Sequence, residues 1–113
     1  MPYIAINTTV NLSDSQKDKI KSELGRLMDI IPTKSEAQLL VDFSGSHTFY
    51  KAGVKTDGAF IDLRIFHRAD LEPKKKYTAE VFSLLIRELG LKKENMYLNI
   101  SEFENWGSNG QFN

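Results

Sequence analysis

Cysteine is absent from the 113 residues, which excludes disulfides, thiolate nucleophiles and cysteine-based metal sites together. Histidine is nearly as scarce. His47 and His67 are the only two, and no carboxylate pair at ligand spacing accompanies them, so neither a metal site nor a cofactor is expected. An excess of one charge is also missing: 15 basic residues balance 15 acidic ones, which removes the electrostatic footprint of a nucleic-acid or anionic-membrane binder. The one local run, Lys74-Lys75-Lys76, reads as the solvated start of a helix. The N-terminus has no basic segment leading into an apolar one, and no window approaches the roughly 18 apolar residues that span a bilayer. A cytoplasmic protein is the default expectation. Proline and glycine are few, and no Pro-, Gly- or Ser-rich linker divides the chain. With 41% hydrophobic and 27% charged residues, residues 1–113 are expected to form a single globular domain.

What is present is periodicity. Tyr3-Ile4-Ala5-Ile6-Asn7 reads as a short strand. From Ser13 to Ile31, Ile20, Leu24, Leu27, Met28 and Ile31 recur at helical spacing; Ser13 with Gln16 forms a capping-box pattern, and Pro32 closes the segment. Ala37 to Phe43 is a second strand. The order then repeats. Ala59 to Phe66 alternates Ile61, Leu63 and Ile65 with Asp62 and Arg64, as a strand with one apolar face does. Glu72-Pro73 opens a helix with the stripe Tyr77, Val81, Phe82, Leu85, Ile86 and Leu89, ended by Gly90. Met96 to Phe103 is a fourth strand. The expected class is α+β: tandem β-α-β units sharing a four-stranded mixed sheet, both helices on one face. The other face, with Asp62, Arg64, Tyr97, Asn99 and Ser101, is polar and aromatic together and suits a subunit interface. The tail carries an Asn109-Gly110 turn signal between Trp106 and Phe112, so an aromatic hairpin docked on a neighbouring subunit is expected.

In order and at these separations, the Met1-Pro2 start, the strand ending Asn7-Thr8, the helix leading to Lys34, Tyr97-Leu98-Asn99 and the Asn-Gly-x-Phe close resemble the macrophage migration inhibitory factor family of the tautomerase superfamily. The resemblance covers nearly the whole chain. It implies a homotrimer with three sheets around a central channel and active sites at subunit boundaries. It also implies a keto-enol tautomerase acting on small, phenylpyruvate-type α-keto acids or their enols.

The chemistry of Pro2 follows from its position. Removing Met1 exposes a rigid secondary amine whose pKa starts near the α-amino value of roughly 8. Burial and a nearby cation lower it, leaving a base that is free near neutral pH. By the resemblance, Lys34 is that cation and holds the substrate carboxylate. Tyr97 and Asn99, from across the subunit boundary, orient the substrate, Phe66 lines the pocket, and Trp106 and Phe112 form its rim.

The chain also departs from the family pattern. Phe66-His67-Arg68-Ala69 replaces a Ser-Ile-Gly-Gly type turn, Lys51-Ala52-Gly53 stands where Phe-Gly-Gly or Phe-Ser-Gly is usual, and Ser101 replaces an aromatic. The tail is one residue short between Asn-Gly and Phe112. The first change alters the pocket wall, and those at Lys51-Ala52-Gly53 and Ser101 are expected to open its rim. Two function classes stay open: an enzyme working through Pro2, and a cytokine-like trimeric binding protein with a vestigial pocket, a protein receptor and export without a signal peptide. Dehalogenation or decarboxylation is a third reading, with Arg64 and Arg68 as the candidate extra groups.

Overall fold

The computed structural model describes residues 1–113. Strand β1 (Pro2–Thr8) sends Ile4, Ile6 and Thr8 into the core, with Tyr3 and Asn7 on the opposite face. Helix α1 (Asp14–Leu27) begins with the expected capping box. Ser13 Oγ accepts from the Gln16 N–H at 3.1 Å, and Gln16 Oε1 accepts from the Ser13 N–H at 2.9 Å, so two otherwise orphaned donors are satisfied. The helix ends before Ile31. Met28–Ile30 tightens into a 3-10 turn and Ile31 is already extended, the conformation a residue before proline prefers.

The segment Ala37 to Phe43 is not one strand. Glu36–Gln38 is a 3-10 turn, and strand β2 covers Leu40–Ser44. The Glu36 side chain lies across Gly25, the one α1 position with no side chain to obstruct it, which docks this segment on the helix instead of the sheet. A hairpin absent from the sequence reading follows: β3 (Tyr50–Lys51) and β4 (Val54–Lys55), turned by Ala52 and Gly53 at φ 51° and 77°. Two successive left-handed residues make the tight turn that matches strand twist. An alanine in that role leaves no Asn-Gly or Asp-Gly signature.

Strand β5 (Ala59–Phe66) and strand β6 (Met96–Phe103) have the expected bounds. Helix α2 (Leu71–Leu89) ends at Gly90, whose φ of 67° is the left-handed stop. Its buried stripe is Tyr77, Val81, Leu84 and Leu85, at i, i+4, i+7 and i+8. The expected stripe omitted Leu84 and ran into a neighbouring row, where Ile86 is 40% exposed and Phe82 and Leu89 are half-buried. Nor is the lysine run simply solvated: Lys74 pairs with Glu102 at 3.2 Å and Lys75 with Glu72 at 3.4 Å. The tail hairpin forms as expected, β7 (Gly107–Ser108) and β8 (Gln111–Phe112) joined by Asn109 and Gly110 at φ 52° and 78°.

The four-stranded sheet has the order β2-β1-β5-β6. Both outer pairs are parallel and the central β1–β5 pair is antiparallel, so each half is one β-α-β unit and the units meet along a single seam. Ile4, Ile6, Ile61, Leu63 and Ile65 pack under the two helices in one core. The other face is mixed, as expected: Tyr3 Oη donates to Asp42 at 2.7 Å and Arg64 pairs with Asp62 at 3.0 Å, beside exposed Leu40, Phe60 and Tyr97. No helix is long and apolar enough to cross a membrane.

Thr8 is the buried polar side chain of the core. Its hydroxyl donates to the Gly58 carbonyl oxygen at 2.8 Å and accepts from the Val10 N–H at 3.3 Å, tying the end of β1 to the entry of β5. Thr8→Val keeps the volume but leaves the Val10 N–H unpaired. It is expected to cost about 1–3 kcal/mol, measured by urea denaturation at fixed protein concentration, with Thr8→Ser costing less.

Candidate active site

The antiparallel register sets Pro2 opposite Ile65, and Phe66 is the next and last residue of β5. Lys34 arrives at the same place from the loop after α1. Its ammonium donates to the Phe66 carbonyl oxygen at 2.6 Å, and a left-handed Thr33, at φ 68°, turns the loop toward the sheet. Pro2 is buried and Lys34 half-buried, so the N-terminal strand and this cation share one partly desolvated corner.

Aromatic rings wall that corner. Phe66 stacks on His67 with centroids 3.7 Å apart and faces Trp106 at 6.4 Å; Trp106 in turn meets Phe103 at 5.9 Å. Trp106 is held from the tail, its N–H and carbonyl both paired with Asn113 at 2.8 and 3.0 Å. His67, at φ 71°, donates its N–H to the Phe103 carbonyl oxygen at 2.8 Å, and the Ala69 N–H donates to the Glu102 carboxylate at 2.6 Å. That backbone donor, with Lys74 beside it, holds the Glu102 carboxyl below its ordinary pKa. At this end the substituted turn Phe66–Ala69 is therefore braced by hydrogen bonds and flanked by stacked rings. Phe112 stands apart, 75% exposed on β8.

The electrostatics follow from the same packing. This chain carries Met1, so the free α-amine is that of Met1 and the Pro2 nitrogen is an amide. The amine nonetheless lies below its ordinary pKa of 8.0, first because it is partly buried and second because Lys34 is close. Lys34 is itself lowered from 10.5 by burial. Loss of Met1 moves the amine one residue inward, onto a buried position beside the same lysine.

Tyr97 and Asn99 lie elsewhere. On β6 they register with Phe60 and Asp62, whereas Ile65, the partner of Pro2, registers with Glu102. Five strand residues separate Tyr97 from Glu102, about 17 Å at roughly 3.3 Å per residue. Tyr97 opens into a hollow of about 280 Å³ under the β3–β4 hairpin, shared with Phe49, Tyr50, Lys51, Phe60 and Asn95. Lys51 sits there with its ammonium 5.6 Å from the Tyr97 ring centroid. Asn99 Nδ2 donates to Ser101 Oγ at 3.4 Å on the exposed face. One chain thus brings together Pro2, Lys34, Phe66 and Trp106 at one end of the sheet, and Tyr97 with Lys51 at the other. Lys51 and Glu102 were missed as site-forming residues; the alternation Phe49-Tyr50-Lys51 before Ala52-Gly53 was the available signal for the hairpin that carries Lys51.

Neither a scan of protein-family models nor a search of curated proteins returns a match. Solved structures do match over nearly the whole chain. Leishmania major MIF2 superposes with a TM-score of 0.92 at 19% identity, covering 99% of this chain and 97% of that one. The macrophage migration inhibitory factor-like protein of Entamoeba histolytica gives 0.85 at 19% identity over 98% and 97%. Pt0534, solved after inactivation by 2-oxo-3-pentynoate, gives 0.84 at 18% identity over 96% and 92%. The fold is that of the macrophage migration inhibitory factor and tautomerase structures.

With Met1 present, Lys34→Met is expected to raise the α-amine pKa while leaving it below 8.0, because burial, the larger of the two causes, remains. An NMR titration of isotope-labelled Met1 reads this directly. The sign for stability is fixed as well. A folded amine that binds its proton more weakly than the unfolded one penalises the fold at low pH, and the penalty is relieved as pH rises from the folded pKa to 8.0.

Proposed function

We propose that this chain, folded as a tautomerase, is a keto-enol tautomerase of the macrophage migration inhibitory factor type, acting on small phenylpyruvate-like α-keto acids and their enols. The observation that carries the reading is the pairing of a buried N-terminal corner with a half-buried lysine that depresses the amine's proton affinity. Once Met1 is removed, the neutral Pro2 amine takes the proton from the carbon next to the keto group. The negative charge that develops on the substrate is stabilised by the Lys34 ammonium, which also holds the carboxylate. The protonated proline then returns its proton to the enolate oxygen, and the reverse sequence converts enol to ketone. The facing rings of Phe66 and Trp106 lie beside the carbonyl that Lys34 holds.

Completion of the site requires assembly. Tyr97 and Asn99 cannot reach Pro2 of their own chain at the separation set by the β5–β6 register, so they serve the Pro2 of a neighbour in a homotrimer. Three features support this. Both outer strands, β2 and β6, have an unpaired edge. The sheet face opposite the helices exposes Leu40, Phe60, Tyr97 and Phe103. The radius of gyration, 14.4 Å, exceeds the about 13 Å of a compact chain this long.

Phenylpyruvate ketonisation, followed by ultraviolet absorbance on Met1-free protein, is expected to lose about 100-fold or more in kcat/KM in Pro2→Gly. In the wild type kcat/KM should rise with pH as the Pro2 amine loses its proton. The electrophile 2-oxo-3-pentynoate should add to the free amine and shift the mass of the N-terminal peptide, whereas protein retaining Met1 should be inactive by this route. Equal rates for wild type and Pro2→Gly would overturn the proline mechanism and leave the binding-protein reading.

A further inference from the structure

Lys51 is a cation that the proton-transfer scheme leaves unused. Its ammonium donates to the Glu94 carbonyl oxygen, approaches Asn95 Oδ1 at 3.5 Å and lies 5.6 Å from the centre of the Tyr97 ring. No carboxylate pairs with it; the ion pairs of the chain are made by Lys19, Arg26, Arg64, Lys74, Lys75 and Arg87. A lysine tethered to main-chain and amide acceptors over an aromatic face has its geometry set and its charge uncompensated. Around it the hollow is walled by the rings of Phe49, Tyr50, Phe60 and Tyr97, with Thr48 and Thr56 at its margin and no acidic side chain in its lining. Apolar walls with one unpaired ammonium complement a carboxylate carried at the end of a planar or apolar chain.

The contact between Lys51 and Tyr97 has a geometric corollary. Any assembly that delivers Tyr97 to the Pro2 corner of a neighbour delivers Lys51 with it. The completed pocket then holds a cation from each subunit, Lys34 beside the base and Lys51 beside Tyr97. We propose that the pocket selects α-keto acids, or their enols, that bear a second carboxylate remote from the keto group. Lys34 binds the carboxylate next to the reacting carbonyl, and Lys51 of the adjoining subunit binds the distal one. This rests on the composite Pro2–Lys34–Tyr97 site proposed above and adds a substrate class to it.

Calorimetric titration of the Met1-free protein with acids matched in chain length tests the idea: 2-oxoglutarate against 2-oxopentanoate, and 2-oxoadipate against 2-oxohexanoate. At least one dicarboxylate is expected to bind about tenfold or more tightly than its matched monocarboxylate, the equivalent of about 1.4 kcal/mol. Lys51→Met should bring that ratio close to one through weaker dicarboxylate binding, and Lys51→Arg should retain most of it. Equal affinities in the wild type, including no detectable binding of either acid, or a preference that survives Lys51→Met, would overturn the proposal. Lys34→Met is the separate arm for the underlying site. It should weaken both members of a pair alike; if it weakens neither, the Lys34 assignment falls, while the Lys51 ratio stands or falls on its own variant.

Discussion

The register of β5 between β1 and β6 is the constraint on which the rest of the molecule depends. Hydrogen bonding sets Pro2 against Ile65 on one side and Phe60 against Tyr97 on the other, so Pro2 and Tyr97 are held toward opposite ends of one sheet. Strand register cannot slip by one residue without turning Ile61, Leu63 and Ile65 out of the core, which makes the separation as firm as the hydrophobic packing itself. The unpaired edges of β2 and β6 and the mixed outer face lie open on either side of this fixed register.

Charge in the Pro2 corner is governed by the same packing. Lys34 donates to a backbone carbonyl, Phe66 O, and neither lysine nor amine has a carboxylate to neutralise it. Burial lowers the proton affinity of both basic groups, and the nearby Lys34 charge lowers that of the amine further. The turn after β5 braces this arrangement from behind through the Ala69–Glu102–Lys74 contacts. The substituted residues Phe66 to Ala69 thereby place stacked rings where a small-residue turn was the family pattern.

Legibility in the sequence tracked how local each determinant is. The capping box at Ser13 and Gln16, the alternation of Ile61, Leu63 and Ile65, the Gly90 stop and the Asn109-Gly110 turn are all decided by neighbours within a few residues, and each is where the sequence reading put it. The misplaced features depend on distant partners. The strand expected from Ala37 is shortened because Glu36 docks on Gly25 of α1, and the stripe of α2 is rotated because Leu84 faces the sheet. The Ala52-Gly53 hairpin escaped because alanine rarely adopts the left-handed region that its turn needs. Of the residues the resemblance pointed to, Lys34 meets the Phe66 carbonyl beside the N-terminus and Phe66 faces Trp106, whereas Tyr97 and Asn99 lie farther along the sheet.

By itself the sequence determined the two helices and the strands β1, β5 and β6, that no cysteine chemistry is available, and that a proline follows Met1 as a potential secondary amine. Those are properties of residue type and short-range spacing. Only the tertiary structure decided that Lys34 meets the Phe66 carbonyl beside the N-terminus, that Tyr97 stands about 17 Å along the sheet from that corner, and that Lys51 lies over the Tyr97 ring. Such distances between residues far apart in the chain are set by sheet register and by core packing, and neither is encoded in any single stretch of sequence.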